Sequence, residues 1–275
     1  MICQRRGYVR NDPYMKAILF DLDGVLYEGD RPIEGAAECI DWCQRQGIPH
    51  LFITNTTSRP RSMLVAKLER MGIRTDSSAI FSPPVAARQW LEKQVTGPTA
   101  LFVPEATRME FEGLVLLPEN ADSGAAAVVL GDLGERWNFA LLNRAFRLLM
   151  ATHQPPLVAL GMTRYWRAAE GLRLDVGPFV AALEYATGTP PVVLGKPAAS
   201  FFLTALERLG AAPEETLMIG DDIRSDIDAA QQVGIRGGLV RTGKFLPSDL
   251  EGDITPFAVL ESVAGLPGWW QSHHD

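Results

Sequence analysis

Short apolar runs alternate along this chain with segments of helical period, and several of those runs stop abruptly at acids, hydroxyls or lysine. "KAILF" ends in Asp21, with Asp23 one residue further on. "HLFI" ends in Thr54-Asn55, "TLMIG" in Asp221-Asp222, and "PVVLG" is followed by Lys196. Alternating βα units with continuously apolar strands specify parallel sheets covered by helices on both faces. Ligands of such sheets sit outside the carboxyl ends of the strands, so residues far apart in sequence can converge there.

Strands are expected at 16–20, 49–53, 99–103, 126–130, 157–160, 191–194, 216–219 and 237–241. Between them, "SRPRSMLVAKLERMG" reads as a helix with Ser58 as N-cap and Gly72 as stop. "WNFALLNRAFRLLM" sets Leu142, Ala145, Phe146 and Leu149 on one helical face. In "GPFVAALEYATG", Pro178 opens a helix that Gly188 closes. The stretch from Thr54 to Lys196 is too long for one crossover and carries its own strands and helices. The expected architecture is a Rossmann-like α/β core in two parts, 15–82 and 178–265, with an inserted α/β cap at 83–177. The termini, 1–14 and 266–275, are expected to be loose, with Met15 opening the first ordered segment; 1–14 reads as an extension or a misassigned start.

The 275 residues are 47% hydrophobic, enough for a substantial core. A formal charge of −7 disfavours nucleic acid or an anionic membrane as partner, since both need a basic face. It leaves room for a small anionic ligand, because one lysine or one metal ion overrides net charge locally. The first residues lack the apolar stretch of a secretory signal, and Cys3, Cys39 and Cys43 show no disulfide framework. Both point to a reducing, cytoplasmic setting. Cys39 and Cys43, four residues apart, read as small apolar core residues.

If the four strand ends meet, they assemble Asp21, Asp23, Asp221, Asp222, Thr54, Asn55 and Lys196. Two carboxylates within about 4 Å repel by on the order of 4 kcal/mol at an effective dielectric of about 20. Lys196 cannot offset four of them, but a divalent cation can. All-oxygen ligands without His or Cys suit Mg²⁺ before Zn²⁺. A carboxylate is also a competent nucleophile toward phosphorus. In that reading Asp21 attacks, Asp23 handles the proton, Thr54, Asn55 and Lys196 hold phosphate oxygens, and Gly24 leaves the backbone open to the ligand.

Four ordered stretches, "DLDGVLYEG", "ITNTTSRP", "GKP" and "MIGDDIRSDIDAAQQVG", resemble the motifs of the haloacid dehalogenase superfamily. The long insertion after the Thr motif resembles the NagD-like class with a large α/β cap. "RYWRAAEGLRLDVGPFVAALEYATGTPPVVLGKP" and "VRTGKF" are similar to the subgroup of phospholysine phosphohistidine inorganic pyrophosphate phosphatase and its haloacid-dehalogenase-like domain-containing relatives. The resemblance spans about residues 15–265. It implies a phosphatase working through an aspartyl-phosphate, with Asp21 as nucleophile and Asp23 as general acid and base. Mg²⁺ would be held by Asp21, Asp221 and the backbone carbonyl of Asp23, and phosphate by Thr54 and Lys196. Asp226 would support the site from behind; Asp222 would act through water or on Lys196. Asp23 sets the chain apart from superfamily members that break carbon–halogen bonds or pump ions. Arg164, Tyr165 and Trp166, late in the insertion, would face the substrate, and related capped enzymes make a homodimer a candidate assembly.

Singly, each signal has an ordinary reading. DxDG strings occur in turns and Ca²⁺ loops, a strand-end Thr caps locally, and "GDD" can open a helix. The order and number of the motifs carry the argument. A signalling receiver domain shares the residue types but places its acid pair before a mid-chain acceptor. A mutase on the same fold, or a catalytically silent phosphate-binding protein, are the remaining alternatives. The substrate expected is a small phosphorylated compound.

Overall fold

The strand Ala17–Asp21 is buried along its whole length, and its alternating side chains divide between two cores. Ile18 and Phe20 join one apolar cluster, while Leu19 joins another. The structure is a computed structural model that describes residues 14–168 and 171–273, with side chains except those of 166–168. The strand sits inside a six-stranded sheet ordered Ala258–Leu260, Arg236–Val240, Thr216–Gly220, Ala17–Asp21, His50–Ile53, Ile80–Phe81. Every pairing in it is parallel. Helices Ala36–Arg45 and Arg61–Arg70 cover one face through Cys39, Ile40, Leu64 and Leu68. Helices Pro83–Gln94 and Ala199–Leu209 cover the other through Val85, Leu91, Phe201 and Phe202. Cys39 and Cys43 are buried free thiols in the first of these cores.

A second, four-stranded parallel sheet is ordered Val192–Val193, Leu157–Ala159, Ala127–Leu130, Thr99–Phe102. Its Ala100, Phe102, Val128 and Leu130 pack on helices Phe139–Leu149 and Gly177–Thr187. Its opposite face, through Leu101, Val129 and Val158, merges with the core beneath helix Pro83–Gln94. An antiparallel ribbon pairs Tyr165–Ala168 with Gly171–Leu174. The architecture is therefore a Rossmann-like α/β core with an inserted α/β cap.

Several sequence expectations change. The insertion does not end at 177, because helix Gly177–Thr187 packs on the smaller sheet and Val192–Val193 pairs within it; Leu194 N–H donates to Ala159 O at 2.9 Å. A buried parallel strand looks alike in either sheet, so pairing cannot be read from its pattern. Ser58 is not a helix cap: the helix begins at Arg61 behind Pro60. Asn138 does cap its helix, accepting from Leu141 N–H at 3.0 Å. The tail expected to be loose from 266 forms the helix Leu266–Ser272, in which Leu266 and Trp270 are buried. Trp270 meets Trp42 edge-on, with ring centroids 6.2 Å apart. The expectation for 1–14 lies outside the described residues up to 13. Among the described residues no helix is long and apolar enough to cross a membrane.

Trp270→Ala removes a buried indole from the joint between tail helix and core. It is expected to lower the unfolding free energy by about 3 kcal/mol, read by urea denaturation. A change within a few tenths of a kcal/mol would mean that the tail carries no load.

Candidate active site

Parallel pairing brings the strand ends side by side. Phe20 is in register with Ile219 on one side and with Phe52 on the other. Asp21, Asp221 and Thr54 therefore emerge together at one sheet edge. Asp21, Asp221 and Asp226 each offer a carboxylate oxygen within 4.8 Å of the others. All three are buried, at 7%, 1% and 1% exposure. The Lys196 ammonium lies 2.6 Å from Asp21 Oδ1 and 2.7 Å from Asp226 Oδ1, and is itself 6% exposed.

Three carboxylates share one ammonium here, so the charge does not balance. Burial pushes Asp221 and Asp226 up to about 6. Burial, together with the Asp221 charge, raises Asp21 despite the Lys196 ammonium beside it. For Lys196 burial works against the charge, but Asp21 and Asp226 outweigh it and hold the ammonium above the ordinary lysine range. Asp221 Oδ2 accepts the Lys244 backbone N–H at 2.8 Å, while Asp221 Oδ1 is buried with no hydrogen-bond partner. A buried acceptor without a donor is costly. A hard divalent cation fits this oxygen-only set, supplying the missing charge and a partner for that orphaned atom.

Two glycines make room for Asp221. A Cβ on Gly24 would lie 2.0 Å from Asp221 Oδ2, and one on Gly243 would lie 2.2 Å from it. Both glycines also have positive φ, +86° and +66°. Gly24 was expected to open its backbone to phosphate; instead its N–H donates to Tyr27 O at 2.7 Å, and its missing side chain admits Asp221.

Other expected residues take different places. Asp23 is exposed and lines a cleft of about 310 Å³ between core and insertion. Thr54 is buried, its hydroxyl accepting Thr56 N–H at 3.1 Å and donating to Thr56 Oγ1 at 3.0 Å. Asn55 does not present its amide to the site: Nδ2 donates to Lys196 O at 2.9 Å and Oδ1 accepts Lys196 N–H at 2.8 Å. The side chain thus clamps the main chain that carries the lysine. Asp222 does not pair with Lys196. Its Oδ1 accepts Arg224 and Ser225 N–H groups, and its Oδ2 lies 3.3 Å from Lys244 Nζ. Those backbone donors and Lys244 together outweigh burial and hold Asp222 below its usual range.

The insertion lines the cleft with Asp132 and Asp175 rather than with Arg164 or Tyr165, which are exposed elsewhere. Trp166 lies in the ribbon, with its side chain outside the described residues. Sequence reasoning also missed Gly243, Lys244 and the core-side cations Arg59 and Lys67. For the first two a signal existed, since "TGK" follows a strand end as "LGK" does at Lys196. Another missed contact joins core to insertion: Glu110 is buried, accepting Arg61 N–H at 2.8 Å and Arg61 Nε–H at 2.7 Å.

A "Haloacid dehalogenase-like hydrolase" family profile matches residues 18–114, and a HAD-hydrolase-like profile matches 193–266. Haloacid dehalogenase-like hydrolase domain-containing protein 2 of Mus musculus is 40% identical over 237 residues, covering 86% of this chain and 88% of that protein. Phospholysine phosphohistidine inorganic pyrophosphate phosphatase of Xenopus laevis is 39% identical over 240 residues, 86% of each chain. NagD from E. coli K-12 superposes with a TM-score of 0.80 at 25% identity, covering 91% of this chain and 98% of that one. The chain belongs to the haloacid dehalogenase-like hydrolases, in their NagD-like group.

Gly24→Ala drives a methyl into the Asp221 carboxylate at a left-handed position. It is expected to cost about 2–4 kcal/mol in urea unfolding. Gly29 also has positive φ, +57°, but open space around it. Gly29→Ala should cost only about 1–2 kcal/mol. Equal costs would remove the steric argument.

Proposed function

We propose that this protein is a Mg²⁺-dependent phosphatase that hydrolyses a small phosphorylated compound through an aspartyl-phosphate on Asp21. The observation that carries the reading is the buried Asp21 carboxylate, ion-paired to Lys196 beside the unpartnered Asp221 oxygen. The family supports it, and so does the name of the frog relative, a phosphatase.

A carboxylate oxygen of Asp21 attacks phosphorus; an O–P bond to Asp21 forms as the bond to the leaving oxygen breaks. Asp23, which lines the cleft, gives its proton to that leaving oxygen. It then takes a proton from the water that attacks the phospho-aspartate, returning the Asp21 carboxylate and releasing inorganic phosphate. Lys196 stabilises charge on the transferring oxygens, and the Thr54 hydroxyl joins it by turning its hydrogen from Thr56 Oγ1 to the phosphoryl group. Asp226 and Asn55 keep Lys196 in place, the first through its ammonium and the second through its main chain. Asp21, Asp221 and the Asp23 backbone carbonyl would hold the Mg²⁺, which when bound offsets the repulsion between a phosphoryl dianion and these carboxylates.

With p-nitrophenyl phosphate and Mg²⁺, Asp21→Asn is expected to lower phosphate release by on the order of 10⁴-fold. Asp23→Asn should lower it by about 10²–10⁴-fold. Lys196 keeps Asp226 as a partner in Asp21→Asn, and Asp23 is exposed, so both variants should still melt cooperatively as folded proteins, read by thermal unfolding. Full turnover in Asp21→Asn, or in metal-stripped enzyme with excess chelator, ends the proposal. Binding can be read without turnover as well. Mg²⁺ at a hundred times its dissociation constant should stabilise the native protein by about 2.7 kcal/mol. A thermal shift retained in Asp221→Asn would move the metal elsewhere.

A further inference from the structure

We infer that Asp132 and Asp175 make the catalytic cleft selective for a phosphorylated substrate that carries a cationic group, such as an ammonium, on its leaving-group side. The inference rests on the phosphatase reading above and assigns a role that reading does not use.

The charges lining the cleft are sorted by wall. Asp23, Arg59 and Lys67 line the core side. Lys67 is only 8% exposed, with its ammonium 3.8 Å from the Tyr27 ring centroid. The acid nearest to it, Asp30, stands 3.7 Å away and is 98% exposed, so the pair is a loose one. The insertion side carries no cation among its described lining residues; it offers Asp132 and Asp175. Both sit just past strand ends of the insertion, Asp132 after Ala127–Leu130 and Asp175 after Gly171–Leu174.

Neither carboxylate has a salt-bridge partner among the described residues. Asp132 Oδ1 accepts only Gly134 N–H at 2.8 Å, and Asp175 Oδ1 only Val176 N–H at 2.6 Å. Each keeps a second oxygen. Burial raises Asp175 above the usual carboxylate range, and the Asp132 charge raises it further. Arg59 and Lys67 belong to the core side, and neither forms an ion pair with Asp132 or Asp175 among the described residues, so the insertion side of the cleft presents two partly buried acids without a cation of their own. An uncharged alcohol leaves that charge unanswered, and an anionic one is repelled. A cation answers it, in the way a charge-assisted hydrogen bond does.

The test is competition against p-nitrophenyl phosphate by two compounds of equal shape, O-phosphoethanolamine with its ammonium and n-propyl phosphate with a methyl. The native enzyme is expected to bind the ammonium compound about 10- to 100-fold more tightly, judged by inhibition constants. In Asp132→Asn, in Asp175→Asn and in the double variant that ratio should fall toward one. Equal constants in the native enzyme, no competition by either compound, or an undiminished ratio in the variants would overturn the inference. The native comparison decides even if a variant does not fold. A native enzyme that turns over p-nitrophenyl phosphate yet treats both compounds alike refutes the selectivity alone. One that releases no phosphate from p-nitrophenyl phosphate refutes the phosphatase reading, and the selectivity falls with it.

Discussion

A buried ammonium between two buried carboxylates is the constraint around which this molecule is arranged. Lys196 meets Asp21 and Asp226 at 2.6 and 2.7 Å with hardly any solvent present. Burial of such ions is costly unless the geometry is fixed, and removing one partner leaves the others uncompensated. The fixing is done from several directions. Asp21 is the last residue of a central strand, and Asp226 follows the neighbouring one. The main chain of Lys196 is held on both its N–H and its C=O by Asn55, which follows the strand on the other side. The ion cluster thus depends on the register of the main sheet.

The excess of negative charge in that cluster is the chemically useful part. A site balanced by its own lysine would have no use for a further cation. Here Asp221 keeps one oxygen without a partner at the bottom of a closed space. The backbone makes way for it at Gly24 and Gly243, two positions with no functional group at all. The stability surrendered at such a place is what binding a metal ion can return.

Much of this was legible in the sequence, for a physical reason. Parallel strands buried on both faces are unbroken apolar runs, and polar residues immediately after them stand out. Asp21, Thr54, Lys196 and Asp221 were found that way. What sequence could not show were contacts between residues of similar type. In "DDIRSDID" the spacing offers Asp222 and Asp226 as rivals for Lys196; the wide π-type turn Ile223–Asp228 turns Asp226 inward and leaves Asp222 to cap that turn. An Asn beside a Thr reads as a ligand-holding amide, although here it holds backbone. Strands of two or three residues, such as Ile80–Phe81 and Ala258–Leu260, are too short to show a period. Arg164 and Tyr165 carried suggestive chemistry, but only the fold decides which strand ends of the insertion face the core.

The apolar cluster beneath helix Pro83–Gln94 is common to both sheets, drawing Leu19 and Phe81 from one and Leu101, Val129 and Val158 from the other. Separation of the two units as rigid bodies would tear that cluster open to water. The insertion is a domain by topology but shares its core with its host, so the two should melt together as one cooperative unit. Access to the cleft is then a matter of small adjustments at its rim, and the chain has no need to come apart in order to turn over.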